Sequence, residues 1–157
     1  LWMAEERQVT SEAKSPSPGD FKPEVQEQLV VNADVVHRQI TEAQGRIFDS
    51  RTADRYAGEN ETIDPVAGHI DGALSCPFPE NLSIDGKFLP RDDLKARFEP
   101  LINPERPNEA IFYCGSGVTA CHNILAAHHA GFPMPALYPG SWSEWILDPN
   151  RPIVSEE

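Results

Sequence analysis

The amino-acid sequence predicts an α/β domain: a central, mostly parallel, five-stranded sheet with helices on both faces. Short apolar runs alternate with stretches of helical periodicity along the chain, as successive β-α units require. The clearest strand pattern runs through a glycine-rich turn directly into the clearest helix pattern, and a length of 157 residues suits one hydrophobic core.

Residues 1–28 are polar, acidic and interrupted by Pro16, Pro18, Gly19 and Pro23, a composition suited to a linker or wrapping arm; the compact domain is expected over residues 29–157. Leu29-Val30-Val31 reads as a strand, and Val35, Val36 and Ile40 follow at helical spacing after an Asn32 cap. Arg46 to Asp49 is a second strand and Ala73-Leu74-Ser75 a third, with no element assigned over most of 56–72. Leu94 and Phe98, four apart after Pro90, mark a helix. Glu109 to Tyr113 is a buried type of strand. Val118 to Ala130 is the longest helix, with Val118, Cys121, Leu125 and His128 near one stripe, and Gly131 and Pro133 end it. Ala136 to Tyr138 is the last strand, and Ser141-Trp142-Ser143-Glu144 has the form of a capping box opening a short helix.

The net charge is -12, from 25 acidic and 13 basic residues, so nucleic acid is not an expected partner and an anionic substrate needs a local positive field. No apolar run approaches the ~20 residues of a membrane span. The first residue is Leu1, so the true start is expected to lie outside this sequence. Three cysteines, an odd number, argue against a disulfide framework and for a reducing compartment, with the cytoplasm as the expected location.

Tyr113-Cys114-Gly115-Ser116-Gly117-Val118-Thr119 spans that strand-to-helix turn. Two glycines let the backbone fold tightly, so that successive N–H groups and the positive end of the helix face one anion. A thiol placed there is stabilised as thiolate, the form that acts as nucleophile. The bland alternative, a cysteine serving as a small core residue, does not account for its place at a turn flanked by glycines. A cysteine phosphatase would need arginine six positions after the nucleophile, where Ala120 stands. Zinc fits poorly: Cys114 and Cys121 are about 10 Å apart along a helix, and Cys121, His122, His128 and His129 read as packing and surface. No metal and no cofactor is expected.

The run Cys114-Gly115-Ser116-Gly117-Val118-Thr119-Ala120 resembles the active loop of the two-domain thiosulfate/3-mercaptopyruvate sulfurtransferases. Asp49-Ser50-Arg51, Arg55-Tyr56-Ala57-Gly58, Gly68-His69-Ile70-Asp71-Gly72-Ala73 and Gly140-Ser141-Trp142-Ser143-Glu144-Trp145 resemble other signatures of that family, in the same order. The resemblance covers Leu29 to Val154 and implies the second, catalytic rhodanese domain, with residues 1–28 as the tail of a preceding rhodanese domain and its linker. It further implies that Cys114 takes a sulfur from an anionic donor, 3-mercaptopyruvate or thiosulfate, as a persulfide, and passes it to a thiol, thioredoxin or cyanide. By the same resemblance Arg55 binds the donor anion, Gly115, Ser116, Gly117, Val118 and Thr119 hold donor and persulfide, and Asp49 and Arg51 support the site. Gly115 and Ser116 replace the basic side chains that follow the cysteine in the thiosulfate branch, and the stretch 59–65 lacks the second arginine usual in the mercaptopyruvate branch. A non-catalytic rhodanese-like binding module, and a half-enzyme inactive without its first domain, are the alternatives.

Overall fold

The computed structural model describes residues 2–13 and 15–155; Leu1, Lys14, Glu156 and Glu157, at or within the expected arm and domain, lie outside the described residues. Asn32 accepts a 3.1 Å bond from the Val35 amide through its side chain and opens α1 (Ala33–Thr41). There follow β1 (Arg46–Asp49), α2 (Ala53–Ala57), β2 (His69–Ile70), β3 (Leu74–Ser75), α3 (Arg91–Phe98), β4 (Ala110–Tyr113), α4 (Val118–Ala130), β5 (Ala136–Leu137), α5 (Ser141–Trp145) and β6 (Ile153–Val154). No helix among the described residues is long and apolar enough to cross a membrane.

The central sheet has four strands in the order β3-β1-β4-β5, every pair parallel. The expected fifth strand over Leu29 to Val31 is reduced to a single parallel bridge, Val30 to Leu137, with the Val31 amide donating to Leu137 O. Leu29 belongs to a short 3-10 turn, and Pro139 soon ends the edge that Val30 joins, since proline has no N–H to extend a ladder. β2 and β6 pair antiparallel outside this sheet, within and beyond the stretch where no element was expected. Gly68 makes that pairing possible: at φ +107 its Cα lies so close to Val154 O that an added Cβ would fall 2.1 Å from it.

Alternation along the strands divides the interior into two cores, one on each face. Phe48, Ala110 and Phe112 face α3 and α4, packing with Leu94, Phe98, Ile124 and Ala127. Ile47, Ile111 and Tyr113 face α1 and α5, packing with Val36, Trp142 and Trp145.

One local reading is sharpened and one is corrected. α4 turns the stripe of Val118, Cys121, Leu125 and His128 outward: Val118 and Leu125 are 72% and 56% exposed, and Cys121 is exposed. It buries its small side, Ala120, Asn123, Ile124, Ala127 and Ala130, because alanines let the helix lie close to the sheet and to α3. The capping box at Ser141 does not form. Gly140 holds the cap position, Ser141 adopts φ +55, and its hydroxyl is turned toward the cysteine loop.

Candidate active site

β4 ends at Tyr113, and the next residue, Cys114, is buried at the carboxyl end of the sheet, where ligand sites of open α/β folds lie. The turn that follows is fixed from behind. The Cys114 amide donates to Ser141 Oγ at 3.1 Å, Cys114 O accepts from the Trp142 amide, and Gly115 O accepts from the Ser143 amide. The positive φ of Ser141 is the strain that accompanies this tether, offset by its hydroxyl bonds to Cys114 and to Tyr138 O.

Gly117 caps α4 at φ +84, with its Cα so near Pro139 that a Cβ would sit 3.1 Å from Pro139 O. Among the described residues, none of the N–H groups of Gly115, Ser116, Gly117, Val118 and Thr119 has a hydrogen-bond acceptor. Those of Val118 and Thr119 are the unsatisfied donors of a helix start. Together they form a cluster of free donors on the loop that begins at Cys114.

A cavity of about 140 Å³ opens on this loop, lined by Arg55, Ile63, Asp64, Cys114, Gly115, Ser116, Val118, Thr119 and Ser143. Six residues singled out in the sequence thus meet at one site. Gly117 shapes the loop from behind rather than lining the cavity, and Asp49 and Arg51 lie deeper.

Behind the cavity runs a chain of alternating charges. Arg51, 2% exposed, places its fork on Asp49 (2.6 to 3.1 Å), reaches Gly68 O and Glu61, and lies 4.9 Å from the Trp142 ring centre. Burial alone would lower the pKa of this guanidinium, but the Asp49 carboxylate outweighs it and raises the value above the ordinary one. Glu61 in turn accepts from Arg51, from Arg55 at 2.8 to 3.1 Å, and from the amides of Ile63 and Asp64. Burial opposes its charge, yet these N–H donors and Arg55 together hold its carboxyl below the usual range. Arg55 Nη2 also meets Asp64 at 3.3 Å, and Asp64 Oδ1 lies 2.7 Å from Ser143 Oγ. Arg55 also borders the loop: a Cβ on Gly115 would lie 3.6 Å from Nη1, which has no carboxylate partner among the described residues, and 3.7 Å from Nη2.

Glu61, Asp64 and Ser143 were not singled out in the sequence. The stretch 59–65 was notable only for lacking an arginine, and Ser143 was absorbed into the supposed capping box. Glu61, ten positions after Arg51 and six after Arg55, carries a usable signal in its charge; Ser143 and Asp64 are 79 positions apart and carry none.

His69 closes the region below. Its ring stacks on Tyr56 at 3.8 Å and its Nδ1 lies 2.8 Å from Tyr56 O, while Tyr113 Oη accepts from the Ile70 amide. The remaining titratable groups of α4 point elsewhere: His122 packs against Phe78 and Phe88 and bonds Asn81.

Comparison with known proteins agrees with this architecture. The chain is 46% identical over 154 residues to the "Probable 3-mercaptopyruvate sulfurtransferase" of Pseudomonas aeruginosa, covering 98% of this chain and 54% of that protein. It is 36% identical over 149 residues to the thiosulfate sulfurtransferase of Bos taurus, covering 92% and 50%, and 31% identical over 160 residues to the human 3-mercaptopyruvate sulfurtransferase, covering 99% and 53%. The chain therefore spans about half the length of the curated relatives it matches. Among solved structures, an anaerobic ergothioneine biosynthesis enzyme from Chlorobium limicola superposes with a TM-score of 0.83 at 20% identity, over 99% of this chain and 39% of that one, a likeness of fold. The model of the rhodanese-like domain matches residues 32–148, and with these relatives it establishes that the chain belongs to the rhodanese family.

Proposed function

We propose that this chain is the catalytic half of a sulfurtransferase, in which Cys114 accepts a sulfane sulfur from 3-mercaptopyruvate or thiosulfate and passes it to a thiol, thioredoxin or cyanide. The observation that carries the reading is the position of Cys114 beside five unpaired loop N–H groups at the head of a thirteen-residue helix. The names borne by its relatives in bacteria and mammals give the substrate class.

In the first half-reaction the Cys114 thiolate attacks the outer sulfur of thiosulfate; a new S–S bond forms, the old one breaks, and sulfite leaves with the electron pair. With 3-mercaptopyruvate the C–S bond breaks instead, and the departing pyruvate enolate takes a proton. The persulfide anion lies within reach of the amides of Gly115 to Thr119, which act as an oxyanion hole does for oxygen. A nucleophilic acceptor then removes the outer sulfur and restores the thiolate, so two easier steps replace one.

Arg55 supplies the positive charge for the donor, Ser116 and Thr119 supply hydroxyls at the mouth, and the buried Asp49–Arg51 pair keeps Glu61 and Arg55 in register. Residues 1–28 join the domain of residues 29–157 to a preceding rhodanese domain that completes the roof of the cavity. The reading is tested by steady-state transfer to cyanide: Cys114→Ser should lose transfer from either donor, and Arg55→Ala should raise the donor KM. A serine variant with full activity would overturn the mechanism.

A further inference from the structure

The charges on and behind the cavity wall do not favour an anion as strongly as a donor-binding arginine implies. Two guanidiniums, Arg51 and Arg55, face three carboxylates, Asp49, Glu61 and Asp64, so the connected network carries one net negative charge. The two carboxylates that hold Arg55 differ in how firmly they are fixed. Glu61 is tied by both arginines and two backbone amides, and its side chain is only 3% exposed. Asp64 makes one longer contact with Arg55, at 3.3 Å, shares the Ser143 hydroxyl, and lies on the cavity wall.

We propose that Asp64 is a specificity-determining residue that selects donors by charge, occupying the inner end of the Arg55 fork so that an anionic donor meets a single free guanidinium nitrogen beside a carboxylate. This rests on the reading of Cys114 as nucleophile and Arg55 as donor anchor. Glu61 takes Nε and Nη2, and Asp64 takes the remaining contact at Nη2, which leaves Nη1, facing Gly115, for the donor. A bidentate grip on a carboxylate or sulfonate, the strong mode for arginine, requires Asp64 to swing away.

The repulsion from Asp64 acts on every unit of donor charge, so it penalises dianionic thiosulfate more than 3-mercaptopyruvate with its single carboxylate. Ser143 is the positioning residue: its hydroxyl sits 2.7 Å from Asp64 and 2.8 Å from Gly115 O, which anchors the carboxylate to the cysteine loop itself.

Asp64→Asn keeps the size and a hydrogen-bonding group while removing the charge. In the whole chain it should raise kcat/KM roughly five-fold for 3-mercaptopyruvate and roughly 25-fold for thiosulfate, the square of the first factor, mainly through KM. A turnover-independent readout uses the rates at which iodoacetate and neutral iodoacetamide alkylate Cys114, followed by peptide mapping to separate the exposed Cys121. Their ratio should rise roughly five-fold in the variant, and added salt should raise it in the parent but hardly in the variant. A folded Asp64→Asn protein in which both the donor preference and the alkylation ratio stay at parental values would overturn the proposal. Should that variant not fold, the salt dependence of the alkylation ratio in the parent decides alone, a flat ratio counting against Asp64. Normal alkylation with no persulfide from either donor would instead overturn the proposed function and leave the charge at Asp64 measured by the alkylation ratio.

Discussion

At the scale of single residues, the chain contains three thiols in three different surroundings, and their reactivities should differ accordingly. Cys114 lines the cavity, Cys121 is exposed, and Cys76 is buried at the end of β3, where burial pushes its thiol up to about 11 despite the nearby Arg97 guanidinium. Cys76 should therefore resist alkylation at pH 8 in the folded protein and react only after unfolding, as peptide mapping would show. Arg51 is the residue whose loss should cost most. Arg51→Met would leave Asp49 and Glu61 buried without their shared cation and should lower stability by about 3–5 kcal/mol in urea titration. Cys114, Arg51 and Arg55 were legible in the sequence because their chemistry sits in short contiguous motifs. Asp64 and Ser143 were not, since each acquires its meaning only when α5 is folded against the loop after α2.

At the scale of elements, that loop is the part most exposed to pH. Glu61 holds residues 59–65 onto both arginines, and its carboxyl lies below the ordinary value near 4.5 in the folded state. A depressed folded value means that the stabilisation is fully present above the ordinary carboxylate pKa and is lost as pH falls through the lower, folded one. Hydrogen exchange at the Ile63 and Asp64 amides, which donate to Glu61, should thus stay protected at pH 5 to 7 and accelerate well below pH 4.5, ahead of the sheet amides. The two helices flanking the cysteine show how pattern reading misleads. In α4 the larger residues marked a stripe, whereas the alanines set the contact because close approach to the sheet outweighed side-chain size. In α5 the S-x-x-E pattern suggested a self-contained cap, whereas Ser141 spends its hydroxyl on the Cys114 amide and on Tyr138 O. A tertiary tether prevailed over a local one.

At the scale of the whole molecule, alternation along β1 and β4 fills both faces of a parallel sheet, which is why the fold class was legible from apolar runs alone. The strand count was not, because a strand of three apolar residues at an edge has only one pairing residue, Val30, once β5 ends. The β2–β6 pair was not legible either: two-residue strands brought together from positions 69 and 154 leave no periodic trace. The architecture places the Cys114 loop at the carboxyl end of the central strands, beneath a wall of paired charges. Whether this loop carries sulfur as a persulfide is read from the intact mass of the chain. After brief exposure to thiosulfate or 3-mercaptopyruvate the mass should rise by one sulfur, ~32 Da, on Cys114 and fall back on adding cyanide; an unchanged mass with both donors would contradict the persulfide mechanism.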